Sequence, residues 1–513
     1  MDYVREKAPP VREDRLQTCN AYGGNCCDLA GKSKQGCLIG ARRTFAQAQG
    51  CQLNLSLAIL NTIRDSVIIV HGPIGCGGSS ASSAGINKNF LKLRDAGARD
   101  VPWINTNLGN NEVIGGGEAN LRAAILHAEK EFRPSAIIIV NSCVPAIIGD
   151  DIDGVVAELQ KEVNARLVPV HCEGFKTRIS ASAYDSVYHG ILRNLVYPPE
   201  HEARVMPDEL EDLKEKYRLS RTVNLLNVAS MSRADEVELT RLLKALDLNL
   251  NIMPCYAHPD DFQGATEAAL SVCICATHDD YFVEHLKERY GVPFIISGIP
   301  IGIRYTNQWI MEIARFFKLE DAARRLIAAE TGELEQALIP YREVLRGKRV
   351  LIGAGEIRVL AMAELLRYLG LEVLGLRVHH YDKFADAMLS EMPDEKLMYN
   401  VATGQPFEQA NLLARLQPDL FVGHTGANGL AAKQGPPIMP AFQQSGIYMG
   451  YNGVFEIARK LARKLRNPAF NRNLAANTRL PYVQEWYDQD PFSYIDTGDM
   501  PVGPVEAEQR NAG

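Results

Sequence analysis

No apolar run in this 513-residue chain approaches the roughly 20 positions needed to cross a lipid bilayer; the stretch 136–140 is typical of those present. The opening Met1-Asp2-Tyr3 is not a secretory leader. A basic surplus is also missing: 55 Lys and Arg stand against 62 Asp and Glu, giving a net charge of −7 and an isoelectric point near 6.0. Such a surface does not neutralise phosphates, so nucleic acid and membranes drop out as partners and a cytoplasmic location is expected. Nucleotide loops are lacking as well. Gly353-Ala354-Gly355 follows a strand-like run, but no third glycine stands at the right offset, and no Walker lysine motif occurs.

What the chain does have is length, apolar runs and cysteine. At 513 residues and 46% hydrophobic content it predicts about three domains of roughly 150 residues each. Short β-branched runs recur at 66–70, 135–140, 166–170, 222–228, 250–255, 271–276, 293–297, 349–353, 372–378 and 419–423, with helical stretches between them. This alternation predicts an α/β chain of three Rossmann-like domains with parallel sheets buried on both faces. Charged, strand-free stretches at 198–221 and 319–348 mark the boundaries. The expected division is a cysteine-containing extension 1–50, domains 51–215, 216–340 and 341–480, and a tail 481–513. Both ends carry no convincing strand and are expected to wrap a partner or fray.

Eleven cysteines in a reducing compartment point to metal or cluster ligation rather than disulfides. A free cysteine is also a good small core residue, which suits roughly half of them, so position must decide. In open α/β sheets ligands gather beyond the carboxyl ends of the strands. The run 67–70 leads into His71-Gly72-Pro73-Ile74-Gly75-Cys76-Gly77-Gly78, where glycines let backbone approach a bulky ligand. The run 136–140 leads into Asn141-Ser142-Cys143, and Cys51 follows Gly50 ahead of an apolar helix. Three thiolates from one chain leave an iron-sulfur cluster incomplete, so a partner chain is expected to supply the rest.

The string His71 to Cys76, then Ser142-Cys143 with Ile147-Ile148-Gly149-Asp150-Asp151-Ile152, then His171-Cys172-Glu173-Gly174-Phe175, resembles the α subunits of nitrogenase component 1 in order and spacing. The similarity continues through Cys275, Tyr290-Gly291-Val292-Pro293 and Ser445-Gly446-Ile447-Tyr448-Met449-Gly450-Tyr451, covering most of the chain. The resemblance implies the nitrogenase component 1 fold and an α2β2 heterotetramer with a homologous β-type subunit. It implies that Cys51, Cys76 and Cys143 bind a P-cluster-like [8Fe-7S] centre, or a [4Fe-4S] one, at the subunit interface. An ATP-dependent [4Fe-4S] iron protein is the implied electron donor. Cys275 matches the thiolate holding a large nitrogenase-type iron-sulfur cofactor, for which an all-iron [8Fe-9S-C] form and a homocitrate-like acid are open options. Cys273, two residues earlier, is expected on the same strand face, as packing residue or second ligand.

Departures from the nitrogenase pattern concentrate at the cofactor. Met449 stands where the family has the histidine that holds the heterometal; a thioether is a weak, soft ligand, and lining the pocket is the equal alternative. Ser180 and Tyr184 replace the glutamine and histidine beyond the Cys-Glu-Gly-Phe string, so an imidazole that titrates near neutrality is lost and proton delivery must be arranged differently. Ala84 replaces an arginine, and Ile59 a smaller valine near Cys51. Arg358 is kept and Lys433 has the option of holding an organic acid, though both also read as solvated charges. Cys19, Cys26, Cys27 and Cys37 are similar to the amino terminus of the α-type scaffold that matures the nitrogenase cofactor, and are additional candidate ligands or spare thiols.

Two functions follow from the resemblance. One is a nitrogenase-like reductase, with methylthio-alkane reductase the best match, which implies reductive carbon–sulfur cleavage of a small methylthio substrate to methanethiol and a hydrocarbon. The other is a scaffold that holds an immature cofactor. The altered pocket argues against dinitrogen reduction.

Overall fold

A computed structural model describes residues 3–34, 41–46, 50–198, 217–392 and 397–496. Its strands are β1 (Ala21–Asn25), β2 (Arg42–Arg43), β3 (Ser66–His71), β4 (Trp103–Asn105), β5 (Ala136–Asn141), β6 (Arg166–His171), β7 (Thr222–Asn227), β8 (Asn249–Pro254), β9 (Leu270–Cys273), β10 (Phe294–Ile295), β11 (Arg349–Ala354), β12 (Glu372–Val378), β13 (Met398–Ala402), β14 (Leu420–Gly423), β15 (Ile438–Pro440) and β16 (Ile495–Asp496). Three sheets carry the fold, in the orders β4-β3-β5-β6, β10-β9-β7-β8 and β1-β13-β12-β11-β14-β15. Every pairing in them is parallel except that of β1 with β13.

The first sheet shows why the apolar runs were legible. Ile68, Val70, Ile138 and Val140 enter one core, while Val67, Ile69, Ile137 and Ile139 enter another on the opposite face. A strand buried on both sides reads as a continuous β-branched run, and β3 and β5 are buried at every position. The strands not anticipated are short or poor in β-branched residues: β4 and β15 have three residues each, and β13 reads Met-Tyr-Asn-Val-Ala. Among the described residues, no helix is long and apolar enough to cross a membrane.

The ends depart from expectation. The amino-terminal segment supplies β1, which extends the third sheet in register from Ala21↔Ala402 to Asn25↔Met398. The carboxyl-terminal stretch returns to pair β16 with β2. Arg43 locks this corner: its Nε donates to Glu408 Oε1 at 2.5 Å, and its Nη groups to the Asn20 and Val401 carbonyls at 2.6 and 2.7 Å. Glu408 is fully buried and also takes Asn400 Nδ2 at 2.9 Å. The described parts of both ends therefore belong to the folded body.

Arg43→Ala leaves the Glu408 carboxylate buried without its cation, a change that costs about 3–5 kcal/mol. Chemical unfolding should report that loss, and Glu408→Gln in the same chain should recover part of it. A second anchor is pH-sensitive. His189 Nε2–H donates to the Glu6 carbonyl at 3.0 Å and Nδ1 accepts the Tyr281 hydroxyl at 2.9 Å, and burial pushes the imidazole down to about 4. The unfolded chain, with histidine near 6.5, therefore binds the proton more readily. The stability held by neutral His189 is complete above about pH 6.5 and is lost as pH falls through 4, by up to about 3 kcal/mol. Unfolding free energies measured across that window should fall less steeply in His189→Gln than in the parent chain.

Candidate cluster sites

The carboxyl ends of β3 and β5 deliver two cysteines to one place. Cys76 lies in the first turn of the helix Ile74–Lys92, and Cys143 opens the helix Cys143–Ile148. Cys51 caps the helix Gln52–Leu60. All three thus stand at helix amino-termini. Their convergence shows at Gly174, where a Cβ would meet Cys51 Sγ at 2.5 Å and Cys143 Sγ at 3.7 Å. Gly72 is equally constrained, since a Cβ there would stand 1.9 Å from Ser142 Oγ. Burial pushes the Cys76 thiol up; the Ser142 hydroxyl opposes this, and the nearby Cys143 and Cys51 add to it.

These three cysteines are half-buried, and Ile74, Ile147 and Phe175 stand exposed beside them. Among the described residues, their sulfurs do not form a group tight enough for one ion. That spacing suits ligands of separate irons in one cluster. Behind them Glu173 is buried, accepting Asn141 Nδ2 at 2.7 Å, while its carbonyl takes Gln52 Nε2 at 2.6 Å. Burial would lower the His171 imidazole, but hydrogen bonds to Asp153 and Glu173 outweigh it and hold the group up at about 8. Cys172 turns the other way into the core.

The second site forms beyond the ends of β9, β11, β12 and β14. Cys275 caps the helix Ala276–Tyr290, its Sγ lies 3.3 Å from Thr277 Oγ1, and burial pushes its thiol up to about 12. Arg358, in the first turn of the helix Glu356–Tyr368, is buried facing Cys275, Tyr184, Tyr448 and Asp235. Its Nη2 donates to the Ser230 carbonyl at 2.7 Å and its guanidinium lies 4.9 Å over the Phe442 ring, yet Nη1 has no partner. Imidazoles complete the surround. His278 lies 4.2 Å from the Tyr184 ring with Nδ1 unpartnered, and His379 and His424 meet edge to face at 5.3 Å. Burial lowers His278 and His379, so they stay neutral near pH 7, while His424 is exposed at the rim.

A family model for "Nitrogenase component 1 type Oxidoreductase" matches residues 51–466. The chain belongs to the nitrogenase component 1 family. It is 28% identical to the nitrogenase iron-molybdenum cofactor biosynthesis protein NifE of Rippkaea orientalis over 456 residues, covering 85% of this chain and 89% of that one. It is 26% identical to the nitrogenase molybdenum-iron protein alpha chain of Azotobacter vinelandii, covering 87% and 89%. A solved nitrogenase Cp1 structure superposes with a TM-score of 0.71 at 21% identity, over 84% of this chain and 92% of that chain, which supports the fold. The α/β architecture of Rossmann-like parallel sheets is that of nitrogenase component 1.

The nitrogenase component 1 pattern sorts the remaining candidates. Tyr184 faces Cys275 and Arg358, and Met449 is fully buried at the cap of the helix Gly450–Arg466, its N–H donating to Asp235 Oδ1 at 2.9 Å. Ser180 sits beside Gly50. Ile59 is sealed in an apolar core, and Ala84 is a half-buried helix residue. Lys433 is exposed in a surface hollow with Arg472, Asp419 and Asp488. Cys273 does not share a face with Cys275: β9 ends at Cys273, so alternation stops, and the two enter different cores. Cys19 and Cys26 are packed in the core, Cys27 is exposed, and Cys37 lies outside the described residues. Among the described residues none of these joins a group able to hold an ion. The sequence reading missed His278, His379 and His424. The signal was there for two of them, because His379 directly follows β12 and His424 directly follows β14.

The donor sets fit the family's groups: three thiols at helix amino-termini for a bridging cluster, and one buried thiol with an orphaned guanidinium N–H for an anionic iron-sulfur cofactor. Gly174→Val should displace the Cys51 sulfur and lower iron per chain in anaerobically purified protein. Retention of full iron would show that Cys51 and Cys143 do not share a cluster there.

Proposed function

We propose that this chain is the α-type subunit of a nitrogenase-like complex that holds an iron-sulfur cofactor at Cys275 during its maturation and passes it on. The observation that carries this reading is the donor set of the pocket. Among the described residues Cys275 is its one thiol, and Met449 offers a thioether where the family's heterometal ligand is expected. One strong ligand and one weak one suit a group that must leave. Likeness to several NifE proteins at 26–28% identity supports the same reading, as those proteins are named for iron-molybdenum cofactor biosynthesis.

The chain's own residues divide the work. When bound, an iron-sulfur cofactor supplies redox-active irons. Cys275 would hold one end of it, and Arg358 would present Nη1–H to its anionic surface. Tyr184, its hydroxyl raised by burial, stays protonated and serves as a hydrogen-bond donor. Cys51, Cys76 and Cys143 would share a bridging cluster with a β-type partner seated over exposed Ile74, Ile147 and Phe175.

A second reading, the methylthio-alkane reductase, is favoured by one observation: His278, His379 and His424 restore imidazoles to a pocket whose sequence had lost one. Neutral imidazoles relay protons, which a scaffold does not need. The test uses the complex purified anaerobically with its partner and loaded with clusters. On the maturation reading it activates cofactor-free nitrogenase component 1, Cys275→Ala abolishes that transfer, and no ethylene appears from 2-(methylthio)ethanol with iron protein, ATP and dithionite. Ethylene without transfer would sink the scaffold and establish the reductase.

A further inference from the structure

Three buried side chains behind the Cys275 pocket are used by neither reading. Glu356 opens the helix that follows β11, and His380 and Asp382 lie in the segment after β12. Adjacent parallel strands thus bring them together at their carboxyl ends. Each offers one ligand atom within 4.8 Å of those of the other two. Their exposures are 1%, 6% and 2%. Each carboxylate uses one oxygen structurally: Glu356 Oε2 accepts the Asp382 N–H at 3.3 Å, and Asp382 Oδ1 accepts the Phe384 N–H at 3.1 Å. Glu356 Oε1, Asp382 Oδ2 and His380 Nε2 make no hydrogen bond, and the contact to Asp382 Oδ2 is a long ion pair with Arg12. Buried polar atoms are rarely left so, and three orphans converging on one spot call for a ligand.

Charge points to what that ligand is. Two guanidiniums serve this region, Arg12 and Arg15, and both are engaged by Asp185 and Asp280. The nearest cation to the trio is Arg12, whose Nη1 lies 3.8 Å from Asp382 Oδ2 while donating to the Thr277 carbonyl. Asp185, Asp280, Asp382 and Glu356 place four buried carboxyls beside two guanidiniums; burial holds the Glu356 carboxyl well above the usual carboxylate range and pushes Asp382 up to about 6. Asp386 adds to the negative field at Glu356 rather than relieving it. A buried carboxylate without a counter-ion is strongly unfavourable, and a doubly charged cation between the three side chains would take the place of the protons that otherwise neutralise the pair.

We propose that Glu356, His380 and Asp382 form a divalent-cation site. One imidazole nitrogen with two carboxylate oxygens selects a borderline ion of the Mn2+, Fe2+ or Zn2+ type over a thiolate-seeking metal or an all-oxygen calcium site. Three protein ligands leave room for water. The ion would pin the loops after β11 and β12 to each other. It would also free Arg12 to serve Asp185, Asp280 and the Thr277 carbonyl, two residues past Cys275. The site is therefore a positioning element for the pocket, separate from the cysteine ligands.

The experiment uses Mn2+ on the full-length, cluster-loaded protein, with free Mn2+ followed by electron paramagnetic resonance and the bound ion located by anomalous scattering at the manganese edge. The expected result is one stoichiometric Mn2+ per chain between the three side chains. Glu356→Gln, His380→Gln and Asp382→Asn should each weaken binding by about tenfold or more. Melting with and without Mn2+ covers variants that fold poorly: the parent Tm should rise with the ion and the variants' should not. Absence of a stoichiometric site for Mn2+, Fe2+ or Zn2+ in the parent chain would overturn the proposal. So would undiminished affinity in the variants. An infrared band of a protonated carboxyl in the parent, unchanged by Mn2+, would assign the trio to proton sharing instead.

Discussion

A single buried guanidinium ties the three sheets together. Arg12, fully buried near the amino terminus, donates Nη2 to Asp185 Oδ1 at 2.9 Å in the helix Ser182–Asn194. The same nitrogen reaches Asp280 at 3.4 Å in the helix Ala276–Tyr290, and Nη1 faces Asp382 beyond β12. Arg15 doubles the link through Asp185 Oδ2 and Asp280 Oδ2, at 2.8 and 2.6 Å. Such buried networks contribute little net stability, because desolvation offsets the attraction, but removal of one partner is strongly destabilising. Their value is geometric. Each of these carboxylates comes from the unit built on a different sheet, and the Thr277 carbonyl held by Arg12 lies two residues from the Cys275 thiol.

That dependence explains what the sequence could and could not disclose. The sheet cores were legible because β3, β5 and β7 are buried at every position and so read as unbroken apolar runs. Cys51, Cys76 and Cys143 were legible because strand ends and flanking glycines localise them without knowledge of long-range contacts. The amino-terminal segment was not. β1 reads Ala-Tyr-Gly-Gly-Asn, with no β-branched residue, and it becomes a strand only because β13 offers an edge more than 370 positions away. Arg12 likewise looks like any solvated charge until Asp185, Asp280 and Asp382 surround it. Parity along a strand misled at Cys273 and Cys275 because β9 stops between them.

The two sets of cysteines also differ in what surrounds them, and that difference bears on their use. Cys51, Cys76 and Cys143 lie close to the surface, each at a helix amino-terminus, beside apolar side chains that a second subunit would cover. On the proposed reading, a cluster bridging there would take three sulfur ligands from this chain and would be lost only with the interface. Cys275 stands alone among neutral imidazoles, whose pKa values burial lowers, and Arg358 supplies the fixed positive charge in that group. On the proposed reading, a cofactor there would rest on one thiolate, one weak thioether and electrostatics that solvent can replace. On the proposed maturation reading, permanence at the interface and exchange at the pocket would follow from this difference in chemistry. An exchangeable pocket still has to keep its shape while empty, and the Arg12 network, set from behind by Glu356, His380 and Asp382, holds the walls without touching the occupant.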